Sequence, residues 1–216
     1  MYKGKYPKIP EATIKRLSIY LRCLKKLEEE GNIVVSSQNL ADTCCVNSTQ
    51  IRKDLSYFGE FGTRGVGYNI KTLQEDIKKI LGLDTTWNMI LVGFGNLGKA
   101  LLHYKGFHES GYKWVGVFDN DKDLIGQKVF DNLYVEDFKK LDNKKIKEIN
   151  PDFAVITTPP DVAQDVVNKL ILLGIKYFLN FAPTKIKVPD NILLKNVFII
   201  AEFDNLVYNI SKIENK

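Results

Sequence analysis

An apolar run, Met89-Ile90-Leu91-Val92, feeds directly into Gly93-Phe94-Gly95-Asn96-Leu97-Gly98, and Ala100-Leu101-Leu102 follow in a helical stretch. Few folds accommodate that order. A buried strand ends in a turn that needs three glycines, and the chain then enters a helix packed on the same strand. Gly93 permits the tight turn, Gly95 lets backbone approach a pyrophosphate, and Gly98 lets helix and strand pack closely. The helix start favours phosphate charge. A bare glycine pattern is weak, and its setting gives it force. Asp119 follows the next strand candidate, Trp114–Phe118, 21 residues beyond Gly98. An acid about 20 residues on is the expected ribose partner. Its carboxylate accepts from both ribose hydroxyls and repels a 2′-phosphate, which selects NADH and NAD+ over the 2′-phosphorylated forms. The bland alternative is a glycine turn that binds nothing.

Further strand candidates are Phe153–Thr157, Tyr177–Phe181 and Val197–Ile200, with helical stretches between most of them. Alternating strand and helix predicts an α/β, Rossmann-like, doubly wound parallel sheet over residues 85–200. In such sheets the ligand crevice lies beyond the carboxyl ends of the strands. Thr157, Thr158 and Pro159 after one strand, and Asn180 and Phe181 after another, are therefore candidate cofactor contacts, the latter two at the nicotinamide end. Ordinary turn chemistry is the competing reading. Residues 201–216 predict an amphipathic helix with Phe203, Leu206, Val207, Ile210 and Ile213 on one face, which needs a partner. Phe203 is counted among the cofactor-binding candidates.

Residues 1–84 read differently. Pro10 suits a helix start, and Ile14, Leu17, Leu21, Leu24 and Leu27 recur at helical spacing until Gly31. Ser36-Ser37 caps a second helix containing Leu40 and Ala41. Asn47 caps a third, roughly 48–58, with Gln50 at the capping-box position and Ile51, Leu55 and Phe58 facing inward. Four glycines between Gly59 and Tyr68 predict a tight hairpin, and Leu73, Ile77, Ile80 and Leu81 a further helix. Three helices and a glycine-rich hairpin outline a winged helix-turn-helix. The third helix exposes Thr49, Gln50, Arg52, Lys53 and Ser56, side chains that reach base edges or phosphates, while Ser48 and Thr49 suit phosphate contact. Arg64, at the hairpin tip, suits a narrow minor groove. A solvated helix face is the competing reading for Arg52 and Lys53 alone.

Charge supports that division. Residues 1–71 hold twelve Lys/Arg against seven Asp/Glu, while the remainder is balanced at nineteen of each. The excess lies where a polyanion would be met. No apolar run approaches the ~20 residues of a membrane span, and no leader pattern is visible, so a cytoplasmic location is expected. Cys23, Cys44 and Cys45 have no metal-binding spacing, and no metal is expected. A redox-sensing thiol at Cys44 or Cys45 is a minor alternative. The two histidines, His103 and His108, follow the glycine turn rather than a strand end, and no substrate domain of comparable size is left over. That favours a sensor over an enzyme. The rivals are a small NAD-dependent oxidoreductase with a helical appendage, and a DNA-binding protein that holds a dinucleotide only structurally.

Several blocks resemble the Rex family of redox-sensing transcriptional repressors. They include Ile9-Pro10-Glu11-Ala12-Thr13, Arg16-Leu17, Tyr20-Leu21-Arg22, Val35-Ser36-Ser37 and Leu40-Ala41. The most specific is Gln50-Ile51-Arg52-Lys53-Asp54-Leu55-Ser56-Tyr57-Phe58-Gly59 with Gly62-Thr63-Arg64-Gly65-Val66-Gly67-Tyr68. Gly95-Asn96-Leu97-Gly98, Tyr104-Lys105-Gly106-Phe107, Phe118-Asp119-Asn120-Asp121, Ala163-Gln164 and Asn180-Phe181-Ala182-Pro183 extend it. The resemblance implies a homodimer joined through the nucleotide-binding domains, with the C-terminal helix exchanged between subunits. It implies binding to double-stranded operator DNA when NADH is low and release on NADH binding, with NAD+ competing weakly or supporting the DNA-bound form. It also implies a switch in which an acid before the last helix works with a tyrosine, matching Tyr104, and an arginine, matching Arg16. The family usually has Asp followed by Leu or Phe there. This chain has Glu202-Phe203, and Leu206 stands where a glutamate usually follows.

Overall fold

The computed structural model describes residues 9–63, 65–130 and 132–214. The chain divides into two compact units, Met1–Thr85 and Thr86–Lys216.

In the first unit, Pro10 supplies an extended residue before α1 (Glu11–Glu29), whose buried stripe is Leu17, Tyr20, Leu24 and Leu27. Tyr20 joins this stripe although the apolar spacing alone does not single it out. A two-residue strand, β1 (Val34–Val35), precedes α2 (Ser37–Cys44). The Ser36 hydroxyl caps α2 by accepting from the Asn39 amide at 3.0 Å. Next comes α3 (Ser48–Ser56), capped by Asn47 Oδ1, which accepts from the Thr49 amide at 2.7 Å. Gln50 does not close a capping box. Its side chain turns to Asp54 instead. The helix ends two residues earlier than its apolar spacing predicts, leaving Phe58 half-buried beyond it.

Among the described residues, the glycine-rich stretch forms a wing with one bridge, Thr63 to Gly67, rather than a ladder. Gly62, Gly65 and Gly67 all have positive φ, which breaks extended pairing. Pairing resumes where β2 (Tyr68–Asn69) lies antiparallel to β1, with Val35 opposite Tyr68. Gly67 is required there, because a Cβ would meet the Val35 carbonyl oxygen at 2.4 Å. Helix α4 (Ile70–Leu81) packs chiefly against α1 and adds Ile70, Leu73 and Ile77 to the shared core, and Gly82, at φ 68°, ends it.

The second unit is a seven-stranded sheet. In chain order its elements are β3 (Trp87–Val92), α5 (Asn96–Leu102), α6 (Gly106–Glu109), β4 (Tyr112–Asp119), β5 (Lys128–Phe130) and β6 (Leu133–Asp137). Then follow α7 (Asn143–Ile149), β7 (Phe153–Ile156), α8 (Pro160–Leu172), β8 (Tyr177–Asn180), β9 (Leu193–Asn196) and α9 (Ile199–Ile213). The spatial order is β5-β6-β4-β3-β7-β8-β9, parallel except for β5. Side chains alternate along β3. Ile90 and Val92 face a core built with Val166, Val167 and Leu170 of α8, and Met89 and Leu91 face Leu102 and Phe94. The chain winds from β3 outward through β4 and then returns to β7 on the other side. That reversal opens a crevice at the carboxyl ends of β3 and β7.

One expectation is corrected here, and two strands add to the candidates. Val197–Ile200 is not a strand. The last strand is the preceding edge segment, Leu193–Asn196, and Ile199 and Ile200 already belong to α9. Their apolarity continues the stripe of Phe203, Leu206 and Ile210 at helical spacing, so the run belongs to a helix face. Strands β5 and β6 carry Lys128, Glu136 and Asp137 and lie at an edge, where no clean apolar pattern is needed. No residue of α9 is buried, and Phe203, Leu206, Val207, Ile210 and Ile213 are all exposed. Among the described residues, no helix is long and apolar enough to cross a membrane.

Candidate functional site

The three glycines of the turn do three different jobs. Gly93, at φ 102°, is pressed against the residues that follow β7. A Cβ there would meet the Thr157 carbonyl carbon at 2.7 Å and the Thr158 nitrogen at 2.8 Å. Gly98 is pressed against the turn itself, where a Cβ would meet the Gly93 oxygen at 2.2 Å. Gly95 faces open space, with nothing within 4 Å of an added Cβ. It precedes α5 with no side-chain cap, so the first amides of that helix keep their donors for something else. The Phe94 ring is buried, so only its backbone serves the turn, while Asn96 is exposed and Leu97 half-buried.

Asp119 ties this turn to β4. Its Oδ2 accepts from the Phe94 amide at 2.5 Å, and its Oδ1 accepts from the Asn120 and Asp121 amides at 2.7 and 2.9 Å. A carboxylate has about four acceptor positions. Three backbone amides already hold this carboxylate, which fixes its orientation at the end of β4. Thr157 Oγ1 donates to the Gly93 carbonyl at 2.7 Å. Among the described residues, Thr158 Oγ1 is buried without a partner. A buried orphan hydroxyl in the loop that touches the glycine turn at Gly93 fits a polar ligand that completes the site. Pro159 is exposed at the start of α8.

Other candidates fall elsewhere. Asn180 is fully buried, and its amide is consumed by Ala182, Asn196 and Thr184. It shapes the loop after β8, with its Nδ2 donors turned to Ala182, Thr184 and Asn196. Phe181 is half-buried against the core on the Met89 face. Phe203 stays exposed on α9. His103 and His108 line a cavity of about 770 Å³ with Tyr104, Phe107 and Trp114, away from the glycine turn, and His103 Nδ1 bonds the Lys99 carbonyl. Among the described residues, no cluster of three or more His, Cys, Asp or Glu could hold a metal. Burial pushes the Cys44 thiol up, away from thiolate character. Cys45 is exposed at the left-handed end of α2.

The DNA-facing candidates gather on α3. Thr49, Arg52, Lys53 and Ser56 are exposed on one side, while Ser48 and Gln50 are half-buried. Arg52 donates to the Ser37 hydroxyl at 2.7 Å and to the Thr49 hydroxyl at 3.2 Å, so its fork is held before any ligand arrives. Ser56 Oγ donates to the Lys53 carbonyl. Arg64 lies outside the described residues. Sequence reading missed Ser37 as a holder of Arg52. It also missed Asp54, which is completely buried and binds Arg16 through Nε at 2.6 Å and Nη2 at 2.8 Å. Of the switch candidates, Arg16 thus has its partner within the first unit. Tyr104 is about half exposed and meets the Phe107 ring edge-on at 5.3 Å, and Glu202 is exposed on α9.

A small helical unit with a wing, joined to a doubly wound sheet with a glycine turn, defines a nucleotide-responsive DNA-binding protein. Comparison with known proteins gives the family. Residues 8–56 match a family model described as "Putative DNA-binding protein N-terminus", and residues 84–184 match one described as "CoA binding domain". The chain is 49% identical over 207 residues to the redox-sensing transcriptional repressor Rex of Carboxydothermus hydrogenoformans, covering 95% of this chain and 98% of that one. It resembles the crystal structure of RSP with β-NAD+ and operator DNA, at 36% identity and TM-score 0.87, covering 96% and 95% of the two chains. RSP with β-NADH gives TM-score 0.84 at 35% identity, covering 96% and 97%. The chain belongs to the Rex family of redox-sensing transcriptional repressors.

Proposed function

We propose that this protein is a repressor that holds operator DNA through α3 and the wing and lets go when NADH occupies the glycine turn. Its hold on DNA then follows the NADH/NAD+ ratio in the cytoplasm. The observation that carries this reading is the near-full-length likeness to Rex repressors, which spans both the reading helix and the nucleotide turn. RSP has been crystallised with both forms of the dinucleotide and with operator DNA. The open space at Gly95, the orphan Thr158 hydroxyl and the Asp119 carboxylate support a dinucleotide here. The Asp119 charge opposes the 2′-phosphate of NADPH and equally the 3′-phosphate of coenzyme A. Neither histidine stands at the turn, in keeping with a family of repressors rather than enzymes.

For release, the NADH-bound chain must favour a conformation that binds DNA poorly, because equal affinity for both states shifts nothing. Arg16, Tyr104 and Glu202 are the proposed switch residues, and a homodimer paired through α9 is the proposed assembly. Its support is the exposed apolar face of α9. The test is anisotropy of a labelled duplex, selected from a random pool by the protein, titrated with NADH, NAD+, NADPH and coenzyme A. NADH should release the duplex at concentrations where NADPH and coenzyme A do not. Unchanged binding at saturating NADH would sink the sensing claim.

A further inference from the structure

Helix α3 has nine residues, and its buried side is apolar except at one position. Ile51 and Leu55 pack into the core with Leu17, Leu24 and Leu40. Contacts of that kind have no direction, so a short helix held by them alone can rotate or slide at little cost. Asp54 is the exception. Its side chain is completely buried while that of Arg16 is 26% exposed.

Both oxygens of Asp54 are engaged. Oδ1 accepts from Thr13 Oγ1 at 3.0 Å, Arg16 Nη2 at 2.8 Å and Gln50 Nε2 at 2.8 Å. Oδ2 accepts from Arg16 Nε at 2.6 Å and from the Tyr20 hydroxyl at 2.8 Å. Thr13, Arg16 and Tyr20 share one face of α1 at three- and four-residue spacing. The arginine bond is two-pronged and planar, which fixes orientation as well as distance. Burial pushes the carboxyl up, but Arg16, Tyr20, Gln50 and Thr13 outweigh it and hold it down at about 2. A buried ion pair contributes little net stability compared with an apolar pair of the same shape. What it supplies that Leu or Met cannot is direction.

We propose that Asp54 is the positioning residue of the DNA-reading helix: held by Thr13, Arg16 and Tyr20 of α1, it sets the angle and register at which α3 presents Arg52 and Lys53. The same bonding takes Gln50 out of base reading and makes it part of the brace. Arg16 is the partly exposed member of the ion pair, so solvent or another anion can reach the brace there. This inference rests on the DNA-binding reading above.

The test uses the full chain, a duplex selected from a random pool by the wild-type protein, and a scrambled duplex of equal length. Asp54→Asn keeps shape and removes charge, and Arg16→Lys keeps charge and removes the fork. Both should bind the selected duplex about tenfold or more weakly, yet bind the scrambled duplex within about twofold of wild type. Helical circular dichroism should be unchanged in both. Gln50→Ala, put through a fresh selection, should recover the same sequence as wild type. The proposal is overturned by wild-type affinity for the selected duplex in both charge variants, by equal losses on both duplexes, or by a changed sequence for Gln50→Ala. If Asp54→Asn does not fold, Tyr20→Phe removes a single donor and keeps the ring, and undiminished selectivity in that variant overturns the proposal. A wild-type chain that enriches no sequence from the pool would overturn the DNA-binding reading itself.

Discussion

Thr157 Oγ1 donates to the Gly93 carbonyl at 2.7 Å, and the two backbones approach so closely that a Cβ on Gly93 would lie 2.7 Å from the Thr157 carbonyl carbon. The nucleotide turn is therefore pinned to β7 as well as carried by β3. Its glycines separate into two that the fold needs, Gly93 and Gly98, and one, Gly95, that faces open space.

Two single substitutions should show that separation. Gly93→Ala places a side chain at φ 102° and against the Thr157 backbone, and should cost the second unit about 2–4 kcal/mol. Gly95→Ala has φ −73° and open space, so thermal stability should change by less than about 0.5 kcal/mol. The Gly95 methyl would occupy ligand space, and NADH affinity should fall about tenfold or more. Melting curves and a fluorescence titration of NADH check both, and a Gly95→Ala protein with wild-type affinity would move the pyrophosphate elsewhere.

Asp119→Asn removes charge while keeping an acceptor for the Phe94 amide. The preference for NADH over NADPH should narrow by about tenfold, roughly 1.4 kcal/mol. The alanine variant is a poorer probe, because Asp119 accepts three backbone amides and its loss would disturb the turn itself. Calorimetric titration with both nucleotides decides the matter, and full discrimination in Asp119→Asn would remove the ribose role.

The Asp54 brace carries a pH signature. Its carboxyl is held at about 2 in the folded chain and returns to an ordinary value near 3.9 when unfolded. A depressed folded value means the contribution is complete above about pH 4 and is lost as pH falls toward 2. The wild type should thus lose about 2 kcal/mol relative to Asp54→Asn across that window. Both tryptophans, Trp87 and Trp114, lie in the second unit. Denaturation followed by helical dichroism should show the difference, and tryptophan emission should not.

Helix α9 leaves Leu206 58% and Val207 63% exposed. If its apolar face is the dimer contact, Val207→Asp should shift the protein from dimer to monomer in sedimentation velocity. The nucleotide turn should stay intact, since α9 contributes no buried residue to the sheet. An unchanged dimer would place the interface on another surface.

The local signals were legible in order along the chain. Gly93, Gly95 and Gly98 announced the turn, Asn47 and Ser36 the helix caps, and Leu17, Leu24 and Leu27 the buried stripe of α1. Each of these acts through neighbours within a turn or two of itself, so spacing suffices to find it. The apolar run before Glu202 misled for the same reason, since Val197–Ile200 is too short for its period to separate strand from helix. The partnerships were decided only by the tertiary structure. Asp54 meets Arg16 across 38 residues, Arg52 meets Ser37 across 15, and Asn180 spends its amide within its own loop and on Asn196. A carboxylate beside Lys53 reads in one dimension as part of a charged helix face. Only the folding of α1 against α3 takes it out of water and makes its bonds directional.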